Sequence, residues 1–323
     1  MRRLVLLVLL SAVGFVAKAR NEDQMVVMFW NLENFFDWTD QGTGESDAEF
    51  SSRGKKHWTK EKFHIKCDAV SKAIFMAGEC YGRIPDVIGF AEVENKSVLQ
   101  KLLSSTLLRK CDYKVVHFDS GDRRGIDVAL LYREGLFELI STSVKVPEYD
   151  GVKMQTRDML QVCLMSESSG EKYDFIVCHH PSKFGGEKAS GPKREAAMEA
   201  LVHMCDSIGG ERQVVMGDFN DSPSASQFAM LEGRLINKSE SLLNAHTGTI
   251  KYEGKWELID MFLVSPGLDS CTEMMIAEFP FLMVKDSRHA GIKPHRTYSG
   301  PRYIGGVSDH LPIVLNFGNT LLK

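Results

Sequence analysis

Five pairs of polar residues stand directly after apolar, strand-like segments of this 323-residue chain. They are Asn31 and Asn34, Glu92 and Glu94, His179 and His180, Asp218 and Asn220, and Asp309 and His310. Strand ends that share one sheet edge would bring these side chains into a single pocket. Carboxylate and amide oxygens suit Mg²⁺, Mn²⁺ or Ca²⁺, and histidine exchanges protons near neutral pH. The pattern therefore predicts a metal-dependent hydrolytic site at one edge of the fold.

The elements that must position these residues are mostly short strands. Apolar residues recur at helical spacing only after Thr59, from about Ser97 to Leu107, and from Arg194 to Ile208. Between residues 113 and 179 a run of strand-like segments joined by short turns indicates antiparallel pairing. Because strands and helices do not alternate regularly, the sequence favours an α+β layered sandwich over a doubly wound sheet. The polar stretch 39–58 is expected to be a surface loop bordering a cleft.

The composition is that of a soluble globular protein, with 43% hydrophobic and 25% charged residues. No repeat of fixed period and no long linker divides the chain. Seven cysteines lack zinc-type spacing, and their apolar surroundings favour small core residues over disulfides. We expect one catalytic domain over residues 20–323, and the sequence shows no need for an obligate protein partner.

The first residues have the pattern of a secretory leader. Arg2 and Arg3 precede an apolar run from Leu4 to Ala17, and Ala17-Lys18-Ala19 has the small-x-small form of a cleavage site. The run is shorter than the ~18 apolar residues of a membrane-spanning helix. We therefore interpret residues 1–19 as a signal peptide. A leader this short is typical of bacterial export, either to the periplasm or out of the cell.

Net charge limits the expected substrates. Without the three basic residues of the leader, 39 basic side chains become 36 against 43 acidic ones, and the net charge changes from −4 to −7. Proteins that bind nucleic acid tightly without sequence preference usually have a basic surface. The acidic charge counts against tight DNA binding, but a nuclease needs only a local cationic groove and a metal ion.

The order of the motifs is more specific than any one of them. They are Trp30-Asn31-Leu32-Glu33-Asn34, Phe90-Ala91-Glu92-Val93, Cys178-His179-His180-Pro181, Gly217-Asp218-Phe219-Asn220, Ile259-Asp260-Met261-Phe262 and Ser308-Asp309-His310-Leu311-Pro312. In this order, over residues 25–318, they resemble the endonuclease/exonuclease/phosphatase superfamily, in particular its pancreatic-type deoxyribonucleases. The resemblance implies a four-layer αββα sandwich, in which helices cover two mainly antiparallel sheets and a metal lies at the upper rim.

The resemblance also implies which residues hold the metal. Glu92 and Asp309 would bind Mg²⁺, or else Mn²⁺ or Ca²⁺, and Asn31 would be a ligand or an orienting group. A metal at this position polarises the phosphate and offsets the charge that develops on it.

The acid–base residues follow from the same resemblance. Asp218, with Asn220 beside it, would align and deprotonate the attacking water. His310, oriented by Asp260, would bind a non-bridging oxygen or protonate the leaving group. His179 matches the second catalytic position of the family, which is a histidine in the deoxyribonucleases and a tyrosine in the abasic-site enzymes.

Several neighbouring residues have simpler interpretations. His180 is an alternative to His179, but Pro181 restricts its backbone, so we favour His179. A carboxylate within an apolar strand is costly to bury alone, which predicts a partner such as His310 for Asp260 and a structural ion pair for Asp127. Three further polar residues at strand ends are interpreted as turn formers: Asn34, Glu94 and Asp221.

The remaining part of the site is the group of side chains that would contact the substrate. Among the cations in loops, Lys183 and Arg288 are our choices for positioning phosphate. The leading hypothesis is an exported nuclease. The alternatives are a hydrolase of inositol phosphates, lipid head groups or other small phosphate esters, and a non-catalytic binding module with the same fold.

Overall fold

The structure, a computed structural model, describes residues 24–42, 44–243 and 247–318, and the predicted leader lies outside these ranges. Its α-helices are α1 (Lys60–Tyr81), α2 (Lys96–Ser105) and α3 (Glu187–Ile208). The strands are β1 (Val26–Phe35), β2 (Val87–Val93), β3 (Tyr113–His117), β4 (Asp127–Arg133), β5 (Phe137–Lys145), β6 (Glu148–Tyr149), β7 (Val152–Lys153), β8 (Met159–Ser166), β9 (Lys172–His179), β10 (Gln213–Asp218), β11 (Ile236–Asn237), β12 (Ile250–Tyr252), β13 (Lys255–Glu257), β14 (Asp260–Val264), β15 (Thr272–Ile276), β16 (Met283–Lys285), β17 (Ile292–Pro294), β18 (Tyr298–Ser299), β19 (Arg302–Tyr303) and β20 (Ile313–Phe317).

Two six-stranded sheets form the centre of the molecule. The first sheet has the order β15-β20-β1-β2-β4-β3 and the second has the order β11-β14-β10-β9-β8-β5. Neighbouring strands are antiparallel except for the central pair of each sheet, β1 with β2 and β9 with β10. Parallel neighbours need a long crossover, and α1 and α3 provide these two crossovers. The prediction of two mainly antiparallel sheets is confirmed.

Three buried apolar clusters separate four layers. One lies between α1, α2 and the first sheet and includes Ile88, the second lies between the sheets and includes Phe29 and Met216, and the third includes Val215 and Leu201 of α3. Successive side chains of a strand point to opposite faces, which is why the adjacent residues Val215 and Met216 belong to different clusters. The α–β–β–α order of layers is the one predicted.

The helix boundaries were predicted with unequal success. Helix α1 begins as expected, because the side chain of Thr59 accepts a hydrogen bond from the Lys62 N–H (3.3 Å). Helix α3 begins at Glu187, whereas the sequence predicted Arg194. Its first turns are mostly exposed and contain Pro192, so they show neither apolar periodicity nor good helix propensity. Within the described residues, no helix is both long and apolar enough to cross a bilayer.

The sequence predicted that every polar pair directly follows a strand, and the strand boundaries show that this is wrong for some pairs. Strand β1 continues to Phe35, so Asn31 lies inside it. Asp309 and His310 precede β20, and Asp260 begins β14. Because β14 and β20 are antiparallel to β10 and β1, their starts lie at the edge where β10 and β1 end. All five pairs therefore reach the same edge, called the rim below.

The cysteines behave as the sequence predicted. All seven are free thiols; six are buried and Cys80 is exposed. Burial raises the pKa of Cys67 and Cys178 well above the ordinary value, so these thiols are uncharged core residues rather than reactive groups.

Candidate active site

Strand register aligns three site residues across the second sheet. Asp218 pairs with His179 of β9 on one side and with Asp260 of β14 on the other, and residues directly opposite on paired strands project from the same face. Met216, two residues before Asp218, packs between the sheets, so all three side chains point into that space. Asn31 reaches them from the first sheet, because its Nδ2 donates to Asp218 Oδ2 (3.1 Å).

His310 is held between two carboxylates. Its Nδ1 is hydrogen-bonded to Asp260 Oδ2 at 2.8 Å, and its Nε2 lies 3.8 Å from Asp218 Oδ2. Burial lowers the pKa of His310, but the charge of Asp260 and its hydrogen bond outweigh burial and hold that pKa well above the ordinary value. The geometry therefore favours an imidazolium with Nε2 free to donate a proton. The predicted partner of Asp260 is confirmed.

Asp218 lies at the centre of the buried group. Its Oδ1 accepts the backbone N–H of Asn220 (2.9 Å), and its Oδ2 accepts the amide of Asn31. Burial raises its pKa to about 7, although His310 opposes this shift. A carboxyl that titrates near neutral pH is suited to accept a proton from water and release it again.

The two adjacent histidines have different surroundings. His179 Nε2 lies 3.5 Å from Asp218 Oδ2, inside the site. The ring of His180 instead packs edge-on against Phe219, with ring centroids 4.9 Å apart, while its carbonyl accepts the amide of Asn220 (3.0 Å). Burial lowers the pKa of both histidines, so both rings are neutral. The structure thus brings His179, rather than His180, next to Asp218.

A β-bulge directs Glu92 toward the rim. Ala91 pairs with Val128 and Val93 with Asp127, which leaves Glu92 as the extra residue, with a left-handed φ of 60°. A bulge changes the direction of the side chain that it carries. The Glu92 carboxylate accepts the backbone N–H of Asn34 through Oε2 (2.7 Å), and its Oε1 lies 3.5 Å from Arg124 Nη1.

Sequence reasoning missed one carboxylate of the site, Glu33. Its Oε1 accepts from Arg296 Nε (3.1 Å) and its Oε2 accepts from the Thr297 N–H (2.7 Å). The other arm of Arg296 donates to Asp309 Oδ2 (2.9 Å), so this arginine bridges the two acids. Burial, and then the charge of Asp309, raise the pKa of Glu33 to about 7. Glu33 stands in the first motif, two residues after Asn31, but no sequence pattern marked it as a second site residue.

A buried lysine of α1 is hydrogen-bonded to residues of this cluster. Lys66 Nζ donates to the Glu33 carbonyl (2.7 Å) and to Thr297 Oγ1 (3.0 Å). Burial lowers its pKa to about 8, against the attraction of Glu33, Glu92 and Asp309. Its position on the apolar face of α1, between Phe63 and Val70, is the signal that could have revealed it.

The donor atoms around this cluster fit a hard divalent cation. Three carboxylates and one amide contribute oxygen: Glu33, Glu92, Asp309 and Asn31. Such donors are typical of Mg²⁺, Mn²⁺ and Ca²⁺ rather than of the thiolate-rich zinc sites. Asp260, beside His310, has a second buried oxygen, Oδ1, without a hydrogen-bond partner. The rim therefore offers oxygen donors of the type that a hard metal ion prefers. Among the described residues at the rim, the three ligand atoms that lie within 4.8 Å of one another belong to Asp218, Asp260 and His310.

The other predicted residues lie at different distances from the site. Lys183 Nζ is 3.7 Å from Asp221 Oδ1, directly after the Asp218–Asn220 turn. Arg288 lies in an exposed turn, and within the described chain no hydrogen bond or ion pair joins its side chain to the rim. Asp127 Oδ2 lies 3.2 Å from His117 Nε2, the structural pairing expected of it.

Solved structures share this fold at low sequence identity. The human Nocturnin catalytic domain with bound sulfate is 17% identical, with 92% of this chain and 95% of that chain covered and a TM-score of 0.56. A mannosyl-6-phosphatase of Bacteroides thetaiotaomicron is 15% identical, with 90% and 98% covered and a TM-score of 0.57. D. rerio TDP2 complexed with single strand DNA product is 13% identical, with 92% and 100% covered and a TM-score of 0.55.

The sequence itself matches a protein family over nearly its whole length. No curated protein matches the sequence significantly. A family model described as Endonuclease/Exonuclease/phosphatase family matches residues 26–319, a stretch that contains every site residue described above. The solved structures show the same α+β sandwich. The chain therefore belongs to the endonuclease/exonuclease/phosphatase family, whose members are metal-dependent phosphoesterases.

Proposed function

We propose that this protein hydrolyses phosphodiester bonds of nucleic acid with Mg²⁺ at the rim, by in-line attack of water. The observation that carries the proposal is the group of Asp218, His179 and His310, which face one another between the sheets. Glu92 and Asp309, with Asn31 beside them, would hold Mg²⁺, which when bound would polarise the phosphate and compensate for its charge.

The protein's own residues supply the proton transfers. Hydrogen bonds to both oxygens of Asp218 hold its carboxylate in one orientation, from which it takes a proton from the attacking water. His310, kept protonated by Asp260, donates through Nε2 to a non-bridging oxygen or to the leaving oxygen. The neutral ring of His179 adds a hydrogen bond to the phosphate. General acid–base groups of this kind contribute about 10²- to 10⁴-fold each.

Two features support a nucleic-acid substrate. His179 stands where the deoxyribonucleases that the motifs resemble have a histidine rather than a tyrosine, and Lys183 and Arg124 place partly exposed cations beside the site. One solved structure with this fold, D. rerio TDP2, contains a single strand DNA product.

A small phosphate ester is the second candidate. It is favoured by the acidic net charge, −4 for the whole chain and −7 without residues 1–19, since a polyanion gains little from an acidic protein. The mannosyl-6-phosphatase among the solved structures illustrates that this fold also accepts such substrates.

The test compares hydrolysis of plasmid DNA, bis-p-nitrophenyl phosphate and a panel of sugar, inositol and lipid phosphates, with and without Mg²⁺. The His310→Ala variant is the blank. Mg²⁺-dependent nicking of plasmid that the variant lacks supports the nuclease. Turnover of small esters with intact plasmid overturns it in favour of the second candidate, and no metal-dependent turnover of any substrate contradicts both.

We further propose that the protein is exported and that residues 1–19 are removed. The basic and apolar pattern of the leader supports this proposal. After expression in a bacterial host, mass spectrometry of the protein outside the cytoplasm should show a chain that begins at Arg20. Protein that stays in the cytoplasm and begins at Met1 would contradict it.

A further inference from the structure

One aromatic side chain beside the site is almost fully exposed. Phe184 exposes 91% of its surface, the largest fraction of any large apolar residue in the described chain. It lies in the loop between β9 and α3, five residues after His179. A single exposed apolar residue is ordinary on a protein surface, but this one lies in a loop whose neighbouring residue, Lys183, is 3.7 Å from Asp221 beside the Asp218–Asn220 turn.

Contacts at the base of this loop fix its position. The Asn220 amide holds the His180 carbonyl at 3.0 Å, and Lys183 Nζ lies 3.7 Å from Asp221. Beyond Phe184, the Gly186 N–H donates to the Lys183 carbonyl (3.1 Å), closing a tight turn. Gly186 has φ +87°, which glycine adopts at little cost. The turn therefore presents the ring of Phe184 outward beside the rim.

A neighbouring hairpin, formed by β12 and β13, connects this loop with the acid–base group. Its exposed aromatic residue, Tyr252, pairs with Lys255 beside the turn, at the end of the hairpin away from Ile250. Ile250 and Glu257 pair with each other at the open end of this hairpin, where Ile250 bridges to His310 and Glu257 Oε2 lies 3.9 Å from Lys183 Nζ. Lys183, and with it the turn that carries Phe184, therefore lies at the end of the hairpin that contacts the His310 backbone.

We propose that Phe184 stacks on a base of a nucleic-acid strand whose scissile phosphate lies at the rim, while Lys183 contacts a neighbouring phosphate. The inference rests on the proposed function and names its substrate contact. An aromatic face beside a cation is the arrangement with which proteins bind single strands without reading their sequence, because every base offers a π-face. An ester without a base would leave Phe184 without a partner.

The test is equilibrium binding by fluorescence anisotropy with Mg²⁺ present, in a His310→Ala background that prevents cleavage. Two labelled single-stranded probes of equal length and charge are compared, one with bases and one with abasic sugars. Phe184→Ala should raise the Kd for the base-containing strand roughly tenfold and leave the abasic strand unchanged. Phe184→Trp should restore binding. Leu107→Ala, which removes an exposed apolar side chain between α2 and β3, is the matched control and should change neither Kd.

Three results would overturn the inference. They are equal binding of both probes by the parent protein, equal weakening of both by Phe184→Ala, and no binding of either probe. Failure of the proposed hydrolysis is recognised separately, by the absence of metal-dependent turnover of bis-p-nitrophenyl phosphate. If that turnover is absent while base-dependent binding is lost in Phe184→Ala, the stacking contact stands and the proposed function fails.

Discussion

The rim contains three buried ionisable groups, Asp218, Asp260 and His310. Their burial lowers the stability of the fold, and their positions serve the proposed reaction. Each is at most 6% exposed, and burial of a charged group is costly unless a partner compensates for it. Asp260 and His310 compensate each other through a direct hydrogen bond. Asp218 accepts hydrogen bonds from only two amide-type N–H donors. Its raised pKa shows that these bonds do not compensate its carboxylate for the hydration that is lost on burial.

This arrangement predicts that Asp218→Asn stabilises the metal-free protein while it abolishes turnover. Asp218 titrates near pH 7 when folded and near 3.8 otherwise, so the folded state binds the extra proton between these values. The free energy of unfolding of the wild type therefore falls as pH rises through this window. In EDTA, Asp218→Asn should raise Tm by about 2–4 °C at pH 8 and by less at pH 5. An equal difference at both pH values would refute this explanation.

The separation of metal ligands from acid–base groups gives a second prediction at the residue scale. Glu92→Ala or Asp309→Ala should weaken Mg²⁺ or Mn²⁺ binding at least about tenfold, because each removes a proposed oxygen ligand. His310→Ala should keep the metal and lower kcat by about 10²- to 10⁴-fold. Calorimetric titration and steady-state kinetics on the same samples check both effects.

The control for this prediction is Glu94→Gln, two residues beyond Glu92. Glu94 accepts the backbone N–H of Asp37 at 2.8 Å and has no proposed contact with metal. It should leave metal affinity unchanged. If His310→Ala lost the metal as completely as Glu92→Ala, the proposed division of roles would be wrong.

At the scale of elements, the strand ends at the rim depart from regular β geometry. Four non-glycine residues there have left-handed φ values: Glu33, Asn34, Glu92 and Asn220. Such conformations cost free energy and occur preferentially at functional sites. Here they turn consecutive side chains away from the alternation of the strand, so carboxylates from β1 and β2 both reach the rim.

A prediction about the second sheet follows from the close approach of the parallel strands β9 and β10 at Gly217. A Cβ on Gly217 would lie 2.9 Å from Cys178 Cβ, so Gly217→Ala must push the two strands apart directly beside His179 and Asp218. We expect a loss of about 1–3 kcal/mol in the free energy of unfolding together with a lower kcat. Gly121→Ala, whose Cβ would meet nothing within 4 Å, should change neither quantity. Thermal or urea unfolding measures the first effect.

At the scale of the whole molecule, net charge determines the electrostatic contribution to the binding of a polyanion. The rim carries cations, but Arg296 and Arg124 already lie against Glu33, Asp309 and Glu92. Few positive side chains are therefore left to neutralise phosphates, and the net charge of the chain is −4.

Binding of single-stranded DNA should accordingly depend only weakly on salt. Each phosphate neutralised contributes about −0.7 to the slope of log K against log salt, so one or two contacts predict a slope of about −1. Anisotropy with the His310→Ala variant between 50 and 200 mM NaCl measures this slope. A slope steeper than about −4 would show a basic groove that the described residues do not reveal.

By itself, the sequence determined the strand-rich α+β class, the helices with apolar faces, and the identity of most residues that meet at the rim. These properties are local, because periodicity and residue type can be read within a few positions. Only the tertiary structure decided that Asn31 donates to Asp218 across 187 positions, that a bulge turns Glu92, and that Lys66 lies beneath Glu33. Such contacts depend on the register and packing of distant segments, which no local pattern records.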